Sequence, residues 1–432
     1  MDLVRFPERD LPVALSADVL VVGGGPAGIA AAVASGRSGV RTALVERHGF
    51  LGGTGTAGLV TIFMPWERSG RAVVGGLFAE TRDRMSHHLG GIDGPLFDPE
   101  ALIVTALDML EEASVELLLY SPAVDVVRAG ASIEAVALAS KGGPRAAVGN
   151  VVIDCTGDAD IAARAGCATV KGRPEDGLTQ PLTACFHVGG VDLAAMPAGD
   201  EMTAAYRAAR ERGEVDCPRE DVLFMRTVHP GGLLFNTTRV THIDGSDAVG
   251  LTRAEIAARR QAEAVFGVLK REFAAFRNAF IVRVAAQVGV RETRHIVGEY
   301  TLTGDDAVEC RRFHDSIACC CYPIDIHNPD GEGTVLRSLQ GDYYGIPYRC
   351  LLPRGVDNLL VAGRPISADH VAHSSLRIMP TCFALGEAAG VAAALAAKDG
   401  ALPRQVQPGR LRAELVSRGA FVGEEPAEEA TA

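Results

Sequence analysis

The residues best placed to do chemistry are glycines. Gly23, Gly25 and Gly28 stand in the spacing G-x-G-x-x-G. The short apolar run DVLVV precedes them and the alanine-rich residues 29–38 follow, so the loop is predicted to join a buried strand to a helix. In that setting each glycine has a task. Gly23 permits a tight turn, Gly25 lets the backbone approach a pyrophosphate, and Gly28 lets the helix lie close to the strand. Pro26 and Ala27 fall where the helix begins, and its free N–H groups and partial positive charge suit phosphate oxygens. The run TALVE reads as the next strand. Glu46 at its end, roughly 20 residues on, suits an adenosine ribose without a 2′-phosphate, and Arg47 follows it.

The fingerprint alone does not separate NAD from FAD, but three further stretches favour FAD. The glycine- and threonine-rich loop RHGFLGGTGTAG offers the backbone of Gly52 and Gly53 and the hydroxyls of Thr54 and Thr56. A second strand, VVIDCTGDAD, ends in Thr156, Gly157 and Asp158, a small turn suited to closing over the adenosine side. Far down the chain, NLLVAGRPISADHVAHSSLRIMPTCFALGEAAG supplies another strand, loop and small-residue helix. Gly363, Arg364, Gly386 and Ala389 are its candidates for completing the nucleotide site.

The elements that must position these residues read as an α/β chain. A Rossmann-like nucleotide-binding domain with an inserted β-meander, over 1–170 and 346–415, encloses a second α+β domain over 171–345. The runs VELLLY, VDVV, IEAVALA and NVVIDCTG are predicted as the meander. Thr252 and Glu255 form an S/T-x-x-E pattern predicted to open a long helix. Residues 416–432 end in EEPAEEATA and read as a disordered acidic tail.

From about residue 16 to 400 the sequence resembles the FAD-dependent oxidoreductases with the glutathione-reductase-type FAD fold. It is similar, more distantly, to the flavoprotein subunits of succinate dehydrogenase and fumarate reductase. The stretches that carry the resemblance are VVGGGPAGIAAA, LGGTGTAG, VIDCTGDADIAARAG, GVRETRHIVGEY, YPIDIH, GIPYRCLLP and the C-terminal segment quoted above. The resemblance implies FAD and redox chemistry; the FAD is expected to be held without a covalent link, since no residue is an obvious attachment point. It also implies that the last helix begins near 386–390 and points at the pyrimidine end of the flavin. Aromatic hydroxylases carry Gly-Asp where this chain has Gly363-Arg364, which argues against a monooxygenase. Trp66, the only tryptophan, cannot supply the W-x-W-x-I-P pattern of flavin halogenases.

Hydride transfer needs one group to orient the substrate and another to move a proton. His373 and Arg377 are the leading candidates, because the resemblance places their loop beside the flavin, with His370 in support. Arg291, Arg294, Gln180 and His327 are the candidate substrate contacts of the middle region, with His295 and Asp325 near them. No histidine spacing points to a metal, and none is expected.

Composition narrows the rest. Lys and Arg total 42 against 54 Asp and Glu, a net charge of −12 that disfavours nucleic acid and anionic lipid as partners. No sequence segment reads as a membrane span or signal peptide. The ten cysteines contain no C-x-x-C pair, so no disulfide-reductase chemistry is expected; vicinal Cys319, Cys320 and Cys321 remain unassigned. The expectation is a cytoplasmic flavoenzyme, with oligomerisation left open. It would dehydrogenate a small polar substrate and exchange electrons with an external acceptor or donor. Two alternatives stay open: reduction of an activated C=C bond, and a flavoprotein that modifies tRNA or serves as an electron-transfer subunit.

Overall fold

A computed structural model describes residues 10–88 and 90–424. Its centre is a parallel sheet. Val13–Val22 pairs with Thr42–Val45 on one side and Gly143–Asp154 on the other. Glu116–Leu118 lies outside Thr42–Val45, and Leu359–Val361 lies beside the end of Gly143–Asp154. Val22 is in register with both Val45 and Asp154, and Asp154 with Val361. The carboxyl ends of four strands therefore open on one edge, where ligands bind in sheets of this kind.

The meander is present but differently composed. The first half of Gly143–Asp154 pairs antiparallel with Ser132–Ser140, which pairs with Ala123–Ala129. Its second half turns parallel to the fingerprint strand, so one strand serves both layers. VELLLY does not join the meander, because Glu116–Leu118 forms the opposite, parallel edge of the sheet.

Two alanine-rich helices, Pro26–Arg37 and Met379–Asp399, cross over the sheet. A side chain on Gly386 would overlap the carbonyl oxygen of Ala27, and one on Gly390 that of Ala31. Small residues on both faces thus let the backbones approach, and nearly all of Met379–Asp399 is buried. This is the one described helix long and apolar enough to cross a membrane, and its apolar face is spent inside the fold.

The middle region builds an antiparallel sheet of Phe224–Arg226, Leu233–Phe235, Phe186–Gly189 and Phe280–Val284. Strand alternation gives it two apolar faces. Phe186 and Phe235 stack, with ring centroids 5.0 Å apart, under the helices Gly199–Glu211 and Ala248–Glu272. Cys185, Met225 and Leu234 face the other way. The long helix starts earlier than the Thr252 pattern predicts: Asp247 caps it by accepting from Gly250 N at 2.8 Å. Glu255 instead accepts from Val288 N at 2.6 Å, outside the helix.

Both outer boundaries move. Ala307, Ile317, Cys320, Tyr344 and Ile346 belong to the main core with the closing helix, so the separate middle unit ends before about residue 300. The disordered reading from 416 is corrected as far as Glu424. The helix Pro408–Ser417 runs past 415, Val422 is buried, and Arg412 donates to the carbonyls of Val422 and Gly423 at 3.0 and 3.3 Å. Glu424 is held by Arg71 at 2.7 Å and Arg312 at 2.6 Å. What the tail reading says of 425–432 lies outside the described residues.

Candidate active site

A cleft of about 380 Å³ runs along the carboxyl ends of the parallel strands. Of the residues expected at the cofactor, Gly23, Gly25, Pro26, Ala27, Glu46, Arg47, Gly53, Thr54, Thr156, Gly157, Asp158, Gly363 and Arg364 line it. Gly23 sits at φ +104°, a conformation that L side chains rarely adopt. A Cβ on Gly28 would overlap the carbonyl of Gly23, so Gly28 serves the strand–helix contact rather than the cleft wall. Glu46 accepts from Gly24 N at 2.6 Å and His48 N at 2.8 Å, and Arg47 is held by Gln287 at 2.8 Å.

The cleft's chemistry fits FAD. No side chain caps the helix Pro26–Arg37 and no acidic residue occupies its first turn, so its N–H groups are left for phosphates. A Cβ on Gly25 would stand in open space, with Gly53 Cα its nearest neighbour at 4.0 Å. Arg364 bonds Asp158 at 3.2 Å, while its Nη1 is buried without a partner, a donor free for an anion.

Several residues expected at the cofactor do not line this cleft. Gly52 donates to Gly24 O at 2.8 Å and Thr56 to Leu51 O at 2.7 Å, so both shape the loop from behind. Gly386 and Ala389 lie inside the crossing with the fingerprint helix. The closing helix begins at Met379 rather than near 386, and its first turn brings Met379 and Cys382 to the cleft. The proline in IMPT sits at the start of that helix, a signal that could have located its end from sequence.

A second cavity, of about 410 Å³, shares Thr54, Gly289, Val290, Arg364, Arg377 and Met379 with the cleft. Arg291, Asn236, Tyr322, Asp325 and His327 add its polar wall. Asp325 and His327 lie two apart on the strand Ile324–His327, which carries them to one face. Burial pushes the Asp325 carboxyl up, but His327, Arg377 and Tyr322 outweigh it and hold it below the usual carboxylate range. Tyr322 Oη donates to it at 3.0 Å, and Arg377 Nη2 lies 3.5 Å away. His327 is kept neutral, its pKa pulled down to about 3 by burial and by Arg291. Arg239, itself buried, lies 3.3 Å from His327 Nδ1 and can only donate, so Nδ1 accepts and Nε2 carries the proton. Arg291 is depressed to about 9 by burial and by neighbouring Arg377. Its bonds run to Pro181 O and Thr183 Oγ1, both at 2.7 Å, and more weakly to Asn236.

His373 lines neither cavity. It is 1% exposed, and its ring meets that of His295 edge-on with centroids 4.3 Å apart. Burial, then His295, lowers its pKa well below the ordinary value. The short helix His370–Leu376 turns His373 into the core and leaves Arg377, at its C-cap, facing the cavities. Behind them Glu292 accepts from Gln180 N at 2.9 Å and His370 Nδ1 at 2.8 Å, with His295 Nε2 at 3.4 Å. Gln180 is fully buried, and its Oε1 accepts from His327 N at 3.3 Å. Arg294 ties down the 156–160 turn through Asp158 O at 2.8 Å and Asp160 at 2.5 Å. Of the four expected substrate contacts, Arg291 and His327 reach the second cavity and Gln180 and Arg294 do not. Glu292, Tyr322 and Asn236 are additions. The period-2 pattern of IDIH was the available signal for pairing Asp325 with His327, but nothing local marks Glu292.

A comparison with curated protein sequences finds no match. Similar solved structures include a geranylgeranyl bacteriochlorophyll reductase-like protein from Thermoplasma acidophilum, with 11% identity and a TM-score of 0.48 over 94% of this chain and 84% of that one. Another is the p-nitrophenol 4-monooxygenase PnpA from Pseudomonas putida DLL-E4, with 13% identity and a TM-score of 0.49 over 93% and 84%. The flavin-dependent brominase Bmp2 shows 12% identity and a TM-score of 0.46 over 93% and 84%. Residues 18–415 match the sequence profile described as FAD dependent oxidoreductase. With the phosphate-ready helix and the cleft that accompanies it, the chain belongs to the FAD dependent oxidoreductase family, and FAD is its cofactor.

Proposed function

We propose that this oxidoreductase dehydrogenates a small polar substrate held in the second cavity, with Arg377 orienting it and Asp325 receiving its proton. The observation that supports this most is the shared wall. Arg377 lines both cavities, so a substrate bonded to it lies against the cofactor site. FAD bound in the cleft supplies the two-electron acceptor, and an external acceptor must then reoxidise it. Asp325 rather than His373 takes the base role, because His373 is sealed in the core and the Nδ1 lone pair of His327 is engaged by Arg239. An anionic substrate group on Arg377 would draw that charge away from Asp325 and raise its basicity. His373, His370 and Glu292 are positioning residues for the loop that carries Arg377.

A second reading, reduction of an activated C=C bond, is favoured by one feature. Around Asp325 the cavity gathers several proton donors, Arg377, Tyr322 Oη–H and His327 Nε2–H. Direction separates the two. Anaerobic mixing of the yellow holoenzyme with saturated hydroxy acids should bleach the flavin absorbance if dehydrogenation holds. If only the prereduced enzyme reacts, and only with unsaturated acids, the reductive reading replaces it. Arg377→Lys should slow the productive direction at least about 10-fold, since a lysine cannot reproduce the planar fork.

A further inference from the structure

The second cavity has two unlike kinds of wall. Its cationic part is Arg291 and Arg377, of which Arg377 also lines the cofactor cleft. None of the hydrogen bonds of Arg291 goes to a carboxylate. Arg377 has Asp325 at 3.5 Å, and its Nε is buried without a partner. The other charged residues of the wall are matched to one another or to neighbours. Arg219 bonds Asp221 at 2.6 Å, Glu220 pairs with Arg239 at 2.9 Å, and Arg364 pairs with Asp158 at 3.2 Å. Two half-buried guanidiniums thus share Asp325, the one lining carboxylate not already paired with another arginine, and the site is short of a negative charge.

Much of the remaining wall is apolar. Val60, Ile62 and Met64 come from the segment after the glycine–threonine loop. Leu223, Met225 and Leu234 come from the middle sheet, whose opposite face is filled by Phe186 and Phe235. The sheet thus presents oily side chains to a space that no other part of the described chain fills, and the void is within the usual size of a ligand site.

We infer that this cavity binds a monocarboxylate with an apolar body, its carboxylate on Arg291 and Arg377 and its chain along Val60, Ile62, Met64, Met225 and Leu234. The inference rests on the assignment of this cavity as the substrate site. It narrows the small polar substrate to an amphipathic acid.

The test is equilibrium binding to the oxidised holoenzyme, read as a shift in flavin absorbance and as thermal stabilisation, with acetate, butanoate, hexanoate, octanoate, succinate, hexanol and hexylamine as probes. Affinity is expected to rise roughly fourfold per added methylene, and hexanoate should bind at least about 30-fold tighter than hexanol or hexylamine. Met225→Ser should weaken octanoate several-fold and leave acetate unchanged. Arg291→Met should erase the preference of hexanoate over hexanol. Affinity that is flat with chain length, or succinate binding more tightly than hexanoate, overturns the inference. Because binding is read without turnover, it fails separately from the redox reading. Acids that bind as stated while no hydroxy or unsaturated acid exchanges electrons with the flavin would sink the proposed reaction and leave the site standing.

Discussion

The FAD cleft and the cavity beside it share a wall but are built in opposite ways. The cleft is made largely of backbone: turns at Gly23 and Gly157, an uncapped helix start at Pro26, and strand ends in register at Val22, Val45, Asp154 and Val361. The cavity is made of side chains, and Arg291, Asp325, His327 and Arg377 reach it from three separate stretches of chain. A backbone site depends on close packing and tolerates few substitutions. A side-chain site is held by buried polar contacts and can lose its chemistry while the fold survives.

The largest expected effect tests the first half of that contrast. Gly28→Val would drive a branched side chain into the carbonyl of Gly23. Stability should fall by more than about 4 kcal/mol, the range of severe core disruption, and FAD should be lost with it. A folded, yellow Gly28→Val protein, seen by circular dichroism and absorbance, would show that the loop and the cofactor site are separable.

The cavity should behave differently. Asp325→Asn leaves the cleft lining untouched, so FAD content should match the parent. The rate of flavin reduction by substrate should fall about 100-fold, the usual scale for removing a positioned acid or base. Loss of FAD from this variant would erase the distinction between the two sites.

What the sequence made legible follows the same division. The fingerprint, Glu46, the 156–158 turn and Gly363-Arg364 are local patterns, each tied to a strand end, and the structure brings all of them to one cleft. His373 failed for a physical reason. Seven residues of helix give no sign of which side faces the core, and four positions decide between a sealed His373 and an open Arg377. Gly386 misled because small residues serve phosphate loops and helix crossings equally well, and here they serve a crossing. Glu292 was hard to read because two of its three partners, Gln180 and His370, lie 112 and 78 residues away.

Titration offers a third, smaller test, confined to the cavity. His327 is neutral in the fold, with a pKa of about 3, whereas an unfolded histidine takes a proton near its ordinary value of 6.5. Below that value the unfolded chain binds more protons, so stability is full above pH 6.5 and is lost progressively as pH falls toward 3. The loss accumulated by pH 5 is about 2 kcal/mol. His327→Gln should therefore show a flatter dependence of unfolding free energy on pH between 7 and 5, measured by denaturant titration at each pH. Equal slopes for parent and variant would mean that the cavity histidine is not held neutral.

The smallest effect concerns the one side chain on which the backbone-built cleft leans. Glu46 bonds Gly24 N at 2.6 Å and His48 N at 2.8 Å, so it braces the fingerprint loop as well as facing the ribose position. Replacing it with glutamine removes the charge and keeps the shape, which should cost about 1 kcal/mol, or roughly fivefold in FAD affinity. Two routes lead to that loss, and a 2′-deoxyadenosine analogue of FAD tells them apart. If Glu46 holds the ribose hydroxyl, the analogue and Glu46→Gln remove the same contact, and their combined effect is smaller than the sum. If Glu46 acts only through Gly24, the two penalties add. Additivity would make the cleft a wholly backbone device, whereas coupling would give it one side-chain reader and bring it a step closer to its neighbour.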